Sequence, residues 1–178
     1  MDIALLENAD EMREAFIGRF LVSWEEFQVL HKDWLAKNPA VGQAWFEHAY
    51  MWDKCGPHFH YATMKEALAF LRKQDSPVLF MAEKDEDTCY RGKEIVNFVA
   101  EADALPLASQ IENEWFEDYR LEMQNMYDPD AFLPQDLYVF DSKMTWCVVF
   151  THETTDWESE LDDPMKAAES RYCLICEK

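Results

Sequence analysis

The chain has 178 residues, 49% hydrophobic and 15% aromatic, enough apolar material for a real core and too much for a disordered chain. Asp and Glu number 36 against 16 Lys and Arg, a formal net charge of -20. A surface of that sign repels phosphate backbones, which argues against direct nucleic-acid binding and favours a basic protein partner.

Residues 9–22 read as a helix, because Met12, Ala15, Phe16 and Phe20 share one stripe. Ser23 and Glu26 then stand three apart, the spacing of a capping box, so a second helix is expected with Phe27, Leu30 and Trp34 on its inner face. Asn38-Pro39 offers a third start, with Asn as cap and Pro in the first turn, and Val41, Trp45, His48 and Trp52 recur helically after it. Gly56-Pro57 ends that element. Thr63 and Glu66 repeat the capping-box pattern ahead of Met64, Ala67, Leu68 and Leu71.

The pattern changes at Pro77. Residues 78–82, VLFMA, read as a buried strand. Residues 94–100 are rich in Val and Ile and are read as a strand, although Ile95, Phe98, Val99 and Ala102 would also share a helical face. A long helix is expected over 103–126, capped by Asp103, with Leu107, Ala108, Ile111, Trp115 and Tyr119 buried. Residues 137–140 and 144–151 flank Asp141-Ser142-Lys143 and predict an antiparallel hairpin, and 171–176 supplies a last strand. The expected architecture is α+β in one domain, 1–178. Short helices fill about 1–75, and an antiparallel-rich sheet of about five strands fills about 77–178 with one long helix packed on it.

Three stretches carry candidate chemistry. Cys55, His58 and His60 fall within CGPHFH, where thiolate and imidazole suit zinc, although no second cysteine pair follows at a structural-zinc spacing. Cys173 and Cys176 form a C-x-x-C pair, but on a strand residues three apart face opposite sides, which opposes both chelation and disulfide exchange. His152 ends the apolar run of 144–151 and is followed by Glu153, Asp156, Glu158, Glu160, Asp162 and Asp163. Strict alternation places His152 on the side of Trp146 and Phe150, with Asp156 able to turn back to it. A histidine with a carboxylate can act as a general base or hold a divalent ion. Of the seven tryptophans, Trp24, Trp34, Trp45, Trp52 and Trp115 fit helical core stripes and Trp146 fits a strand core. Trp157 fits neither, and it stands among acidic residues.

Dinucleotide-binding, P-loop, nucleophile-elbow and zinc-protease motifs are all absent. The first residues lack the basic-then-apolar pattern of a secretory signal, no apolar run is long enough for a bilayer, and the cysteine count is odd; a reducing cytoplasm is the expected compartment. The function expected is an acidic protein-binding module without a cofactor, of inhibitor or immunity type, using Trp157, Asp156, Glu158 and Glu160 against a basic partner. One alternative is a metal-dependent hydrolase holding zinc or another divalent ion through Cys55, His58, His60 and His152. Another is a housekeeping protein whose charge has no specific role.

Overall fold

The computed structural model describes residues 1–83, 87–90, 93–122, 132–154 and 171–178. Helix α1 spans Ala9–Phe20 and ends where Leu21 turns to extended backbone. Helix α2, Trp24–Leu30, starts at the expected capping box: Ser23 Oγ accepts from the Glu26 amide at 3.2 Å, and the Glu26 carboxylate accepts from the Ser23 amide at 2.8 Å. Thr63 and Glu66 make the same pair ahead of α5, Met64–Leu71.

The third start lies elsewhere. Asn38 closes α3, Lys32–Lys37, its side-chain amide donating to the Trp34 carbonyl at 3.0 Å. The next helix, α4, spans Gly42–His48. Asn38 thus serves as a donor at a helix C-terminus, where free carbonyls lie, and not as an acceptor at an N-terminus. The helical recurrence out to Trp52 also breaks, because Ala49 is extended and Trp52–Lys54 forms a separate 3-10 turn.

Seven strands form one antiparallel sheet, against about five expected. They are β1 (Ala4–Leu5), β2 (Phe59–Thr63), β3 (Val78–Ala82), β6 (Val99–Ala102), β7 (Leu137–Phe140), β8 (Trp146–Thr154) and β9 (Arg171–Glu177), in the order β1-β6-β3-β7-β8-β9-β2. A separate ribbon pairs β4 (Asp87–Tyr90) with β5 (Lys93–Val96). Three described strands were not read from sequence: β4, and the sheet strands β1 and β2, which come from the part read as helical and form the two edges of the sheet. β1 has two residues, and β2 leaves His60 and Tyr61 exposed, so neither shows a buried alternating run. The segment 94–100 is extended, as read, but divides into the end of β5 and the start of β6 around Asn97, which takes a positive φ of 52°.

Side chains alternate across the sheet into two cores. Val78, Phe80, Leu137, Val139, Val148, Phe150, Cys173 and Ile175 meet Leu68 and Leu71 of α5, and Leu107, Ala108 and Ile111 of α6 (Ala104–Glu122). Leu79, Met81, Tyr138, Phe140, Cys147, Val149, Leu174 and Cys176 meet Phe16 and Phe20 of α1, with Met51. The result is an α+β fold with helices on both faces of the sheet. No helix among the described residues is long and apolar enough to cross a membrane.

Helices α2 to α4 stand apart from both cores. Phe27 is buried among Trp24, His31, Trp45 and Phe46, with ring centroids 5.9, 4.3, 5.3 and 5.1 Å away. Trp34 and Trp45, expected in the core, are 39% and 37% exposed. Their stripes face one another in this small cluster instead of the sheet, so only its central ring loses contact with water.

Candidate functional site

His152 has a carboxylate partner, and it comes from β7's approach. The buried Asp136 accepts from the His152 amide at 2.8 Å, and its two oxygens lie 3.0 and 2.9 Å from His152 Nδ1. An ionised carboxylate only accepts, so Nδ1 is the donor to Asp136, and Nε2 lies 3.6 Å from the Glu153 carboxylate. Asp136 thereby fixes the orientation of the imidazole. When neutral, such a ring can accept a proton or bind a cation at Nε2.

The ring does not point where alternation put it. β8 pairs Phe150 with Cys173 and Thr154 with Arg171, four residues along β8 against two along β9. This bulge interrupts the two-residue period and turns His152 away from the Phe150 side. Its ring packs against Tyr50 and Trp52 instead, at 5.0 and 6.1 Å, on the α1 side of the sheet. Arg171 secures the same corner, donating to the carbonyls of Thr151 (2.6 Å) and Gln135 while its guanidinium stacks over Trp115 at 3.9 Å on the other face.

The segment carrying Tyr50 and Trp52 is pinned by buried polar groups. The Glu83 carboxylate accepts from the Met51 amide at 2.9 Å and from the Tyr138 hydroxyl at 2.6 Å. Burial, then the charge of Glu83, pushes the Tyr138 hydroxyl well above its ordinary pKa, so it stays protonated as the donor. Arg13 of α1 reaches across to the Ala82 carbonyl at 3.1 Å and the Met51 sulfur at 3.8 Å.

Five rings then follow one another over the surface. His152 touches Tyr50, which stacks on Trp52 at 5.7 Å and 8°; Trp52 meets Tyr172 at 6.1 Å, and Tyr172 meets Tyr61 of β2 at 5.3 Å. The two ends of the tyrosine row are open, with Tyr50 46% and Tyr61 48% exposed. Asp53 sits beside the row. Its pKa is raised mainly by burial, against a hydrogen bond from the Tyr50 backbone, and also by the charges of Glu83 and Glu153.

That shift makes a prediction. Between the unfolded value near 3.8 and the raised folded value, the folded chain holds more protons on Asp53, so this residue's contribution to stability falls as pH rises through that window. Asp53→Asn should therefore melt higher than the parent at pH 7, and the gap should close towards pH 3.8. Paired calorimetric scans across that range test it; a lower-melting variant at pH 7 rejects the assignment.

The other residues singled out from sequence are dispersed. Cys55 lies beneath the sheet face near Cys147 and Cys176, its thiol pushed well above the ordinary value mainly by burial. His58 lines a groove beside Gly18, Arg19 and Lys178, whereas His60 stands near Glu66. Among the described residues, no group of three or more His, Cys, Asp or Glu is placed to hold a metal ion. Cys173 and Cys176 do face opposite cores, and burial pushes the Cys173 thiol up to about 12. Trp157, Asp156, Glu158 and Glu160 lie outside the described residues; the flanks of that stretch, Thr154 and Arg171, pair with each other.

Sequence reasoning missed Asp136, Tyr50, Tyr61 and Tyr172. The clustering of Tyr50 with Trp52 was visible, but not that a strand and a bulge would extend it. The chain matches no family model, no curated protein and no solved structure, so its function rests on the geometry of this row and its carboxylates.

Proposed function

We propose that this chain is a binding module that docks on a basic protein, in the manner of an inhibitor or immunity-type protein covering a basic enzyme such as a nuclease. The observation that carries this reading is the aromatic row with its two half-exposed ends, Tyr50 and Tyr61, beside Asp53 and Glu153, in a chain of net charge -20. Aromatic rings supply contact area at small entropic cost, and the surrounding charge selects and steers a partner of opposite sign. Trp157, flanked by Asp156, Glu158 and Glu160, is proposed to add a second anchor of the same composition.

The test is capture of a partner from native extract followed by binding kinetics at two salt concentrations. The partner should be basic, and its association rate should fall about tenfold or more as salt screens the charges. Trp157→Ala should weaken binding by about 2 kcal/mol, and each single carboxylate by about 1 kcal/mol or less. Binding that ignores salt, to a partner without net positive charge, refutes the reading.

A further inference from the structure

We infer that the basic partner presents an arginine-bearing, extended segment to the row Tyr61–Tyr172–Trp52–Tyr50, with guanidinium groups stacked on the exposed tyrosine rings and paired with Asp53 and Glu153. This inference rests on the binding reading above and names the contact it would use.

The rings follow one another at 5.3, 6.1 and 5.7 Å. Side chains on one side of an extended segment recur every two residues, about 6.5–7 Å. Tyr50 and Trp52 lie face to face, so such a segment would set its side chains on the open ends of the row, Tyr61 and Tyr50, and not on every ring; a row longer than one side chain favours a chain laid along it over a compact small molecule. The exposure of Tyr50 and Tyr61 leaves both ends open to it.

The chemistry selects the side chain. Cations are attracted to aromatic faces, and a planar guanidinium also stacks on them and can pair with a carboxylate through two donors. Asp53 and Glu153 stand close enough for each other's charge to disfavour ionisation of Asp53, and an incoming cation relieves that repulsion. Lys54, next in sequence, holds its ammonium over the Phe46 ring at 5.0 Å and offsets the repulsion at Asp53 only in part. Arg171 lies on the opposite face of β9, over Trp115. A second copy of this chain would set a charge of -20 against -20, which opposes self-association.

The experiment titrates the full chain with three peptides of equal length, alternating Arg-Ser, Lys-Ser and Glu-Ser, by calorimetry. The Arg-Ser peptide should bind about 3- to 5-fold more tightly than Lys-Ser, and Glu-Ser should not bind. Tyr50→Ala and Tyr61→Ala should each weaken Arg-Ser binding about 3- to 5-fold and shrink its advantage over Lys-Ser. Tyr50→Phe and Tyr61→Phe keep the ring and should bind as the parent does. Trp34→Ala, in the separate cluster around Phe27, should leave binding unchanged. Should Tyr50→Ala fail to fold, Tyr61→Ala on the edge strand carries the same comparison. Equal affinity for Arg-Ser and Lys-Ser, untouched by the tyrosine variants, overturns the row as the contact while leaving charge-driven docking in place. Failure of every cationic peptide, together with failure to recover a basic partner, removes the underlying reading as well. A homodimer dispersed by Tyr61→Ala assigns the row to a second copy and overturns the inference.

Discussion

Phe16→Ala is expected to destabilise the protein by about 3–5 kcal/mol, the usual range for truncating a fully buried aromatic ring. Phe16 is wholly buried, and its ring centroid lies 4.9 Å from Phe20, 5.6 Å from Tyr138 and 4.9 Å from Phe140. Its removal opens a cavity between α1 and the centre of the sheet that the rigid strands β3 and β7 cannot close. Total stabilities of domains are about 5–15 kcal/mol, so this variant should lose a large share of its margin. Urea unfolding checks it: the midpoint should fall with little change in slope. Phe16→Leu, which preserves most of the volume, should cost about 1.5 kcal/mol or less. If Phe16→Ala cost no more than that, α1 would not be packed as described.

Asp136→Ala is expected to cost about 3 kcal/mol, because hydrogen bonds to a charged group contribute about 1.5–3 kcal/mol each and two donors lose their acceptor together. The His152 amide and ring Nδ1 both turn to Asp136, and the bulged strand has no alternating ladder there to take the amide back. Asp136→Asn keeps an oxygen for the amide and should recover part of the loss. His152→Ala should cost less than Asp136→Ala, since the carboxylate retains the amide bond and water can enter where the ring stood. A ranking in which His152→Ala is the more damaging would mean that the ring packs for its own sake and Asp136 is incidental.

These two residues differ in how far sequence reveals them. Phe16 stands on a stripe with Phe20 and is recognisable as core without any structure. Asp136 is one acidic residue among 36, and nothing local separates it from its solvated neighbours. Arg13 illustrates the same difficulty inside α1. Reading the helix alone puts a charged residue outside and Ala15 inside, whereas Arg13 is buried and Ala15 exposed, because the Ala82 carbonyl of β3 and the sulfur of Met51, just ahead of the 3-10 turn, await the guanidinium.

What the chain determined by itself was local and periodic: both capping boxes, the apolar stripes of α1, α5 and α6, the runs of β3, β7 and β8, and the acidic balance. These follow from hydrogen bonds spanning three residues and from burial patterns with periods of 2.0 or 3.6. Only tertiary structure decided the rest. The edge strands β1 and β2 exist because β6 and β9 offer open backbone groups to pair with, not because their own residues demand extension. Helices α2 to α4 turned their tryptophans on one another because the sheet faces were already filled by α1, α5 and α6. The bulge in β8 broke the two-residue period where alternation had placed His152, whereas Cys173 and Cys176 on the regular β9 kept it. It brought His152 to Asp136 and to rings more than ninety residues away in sequence, an encounter set by the pairing of strands and not by any spacing along the chain.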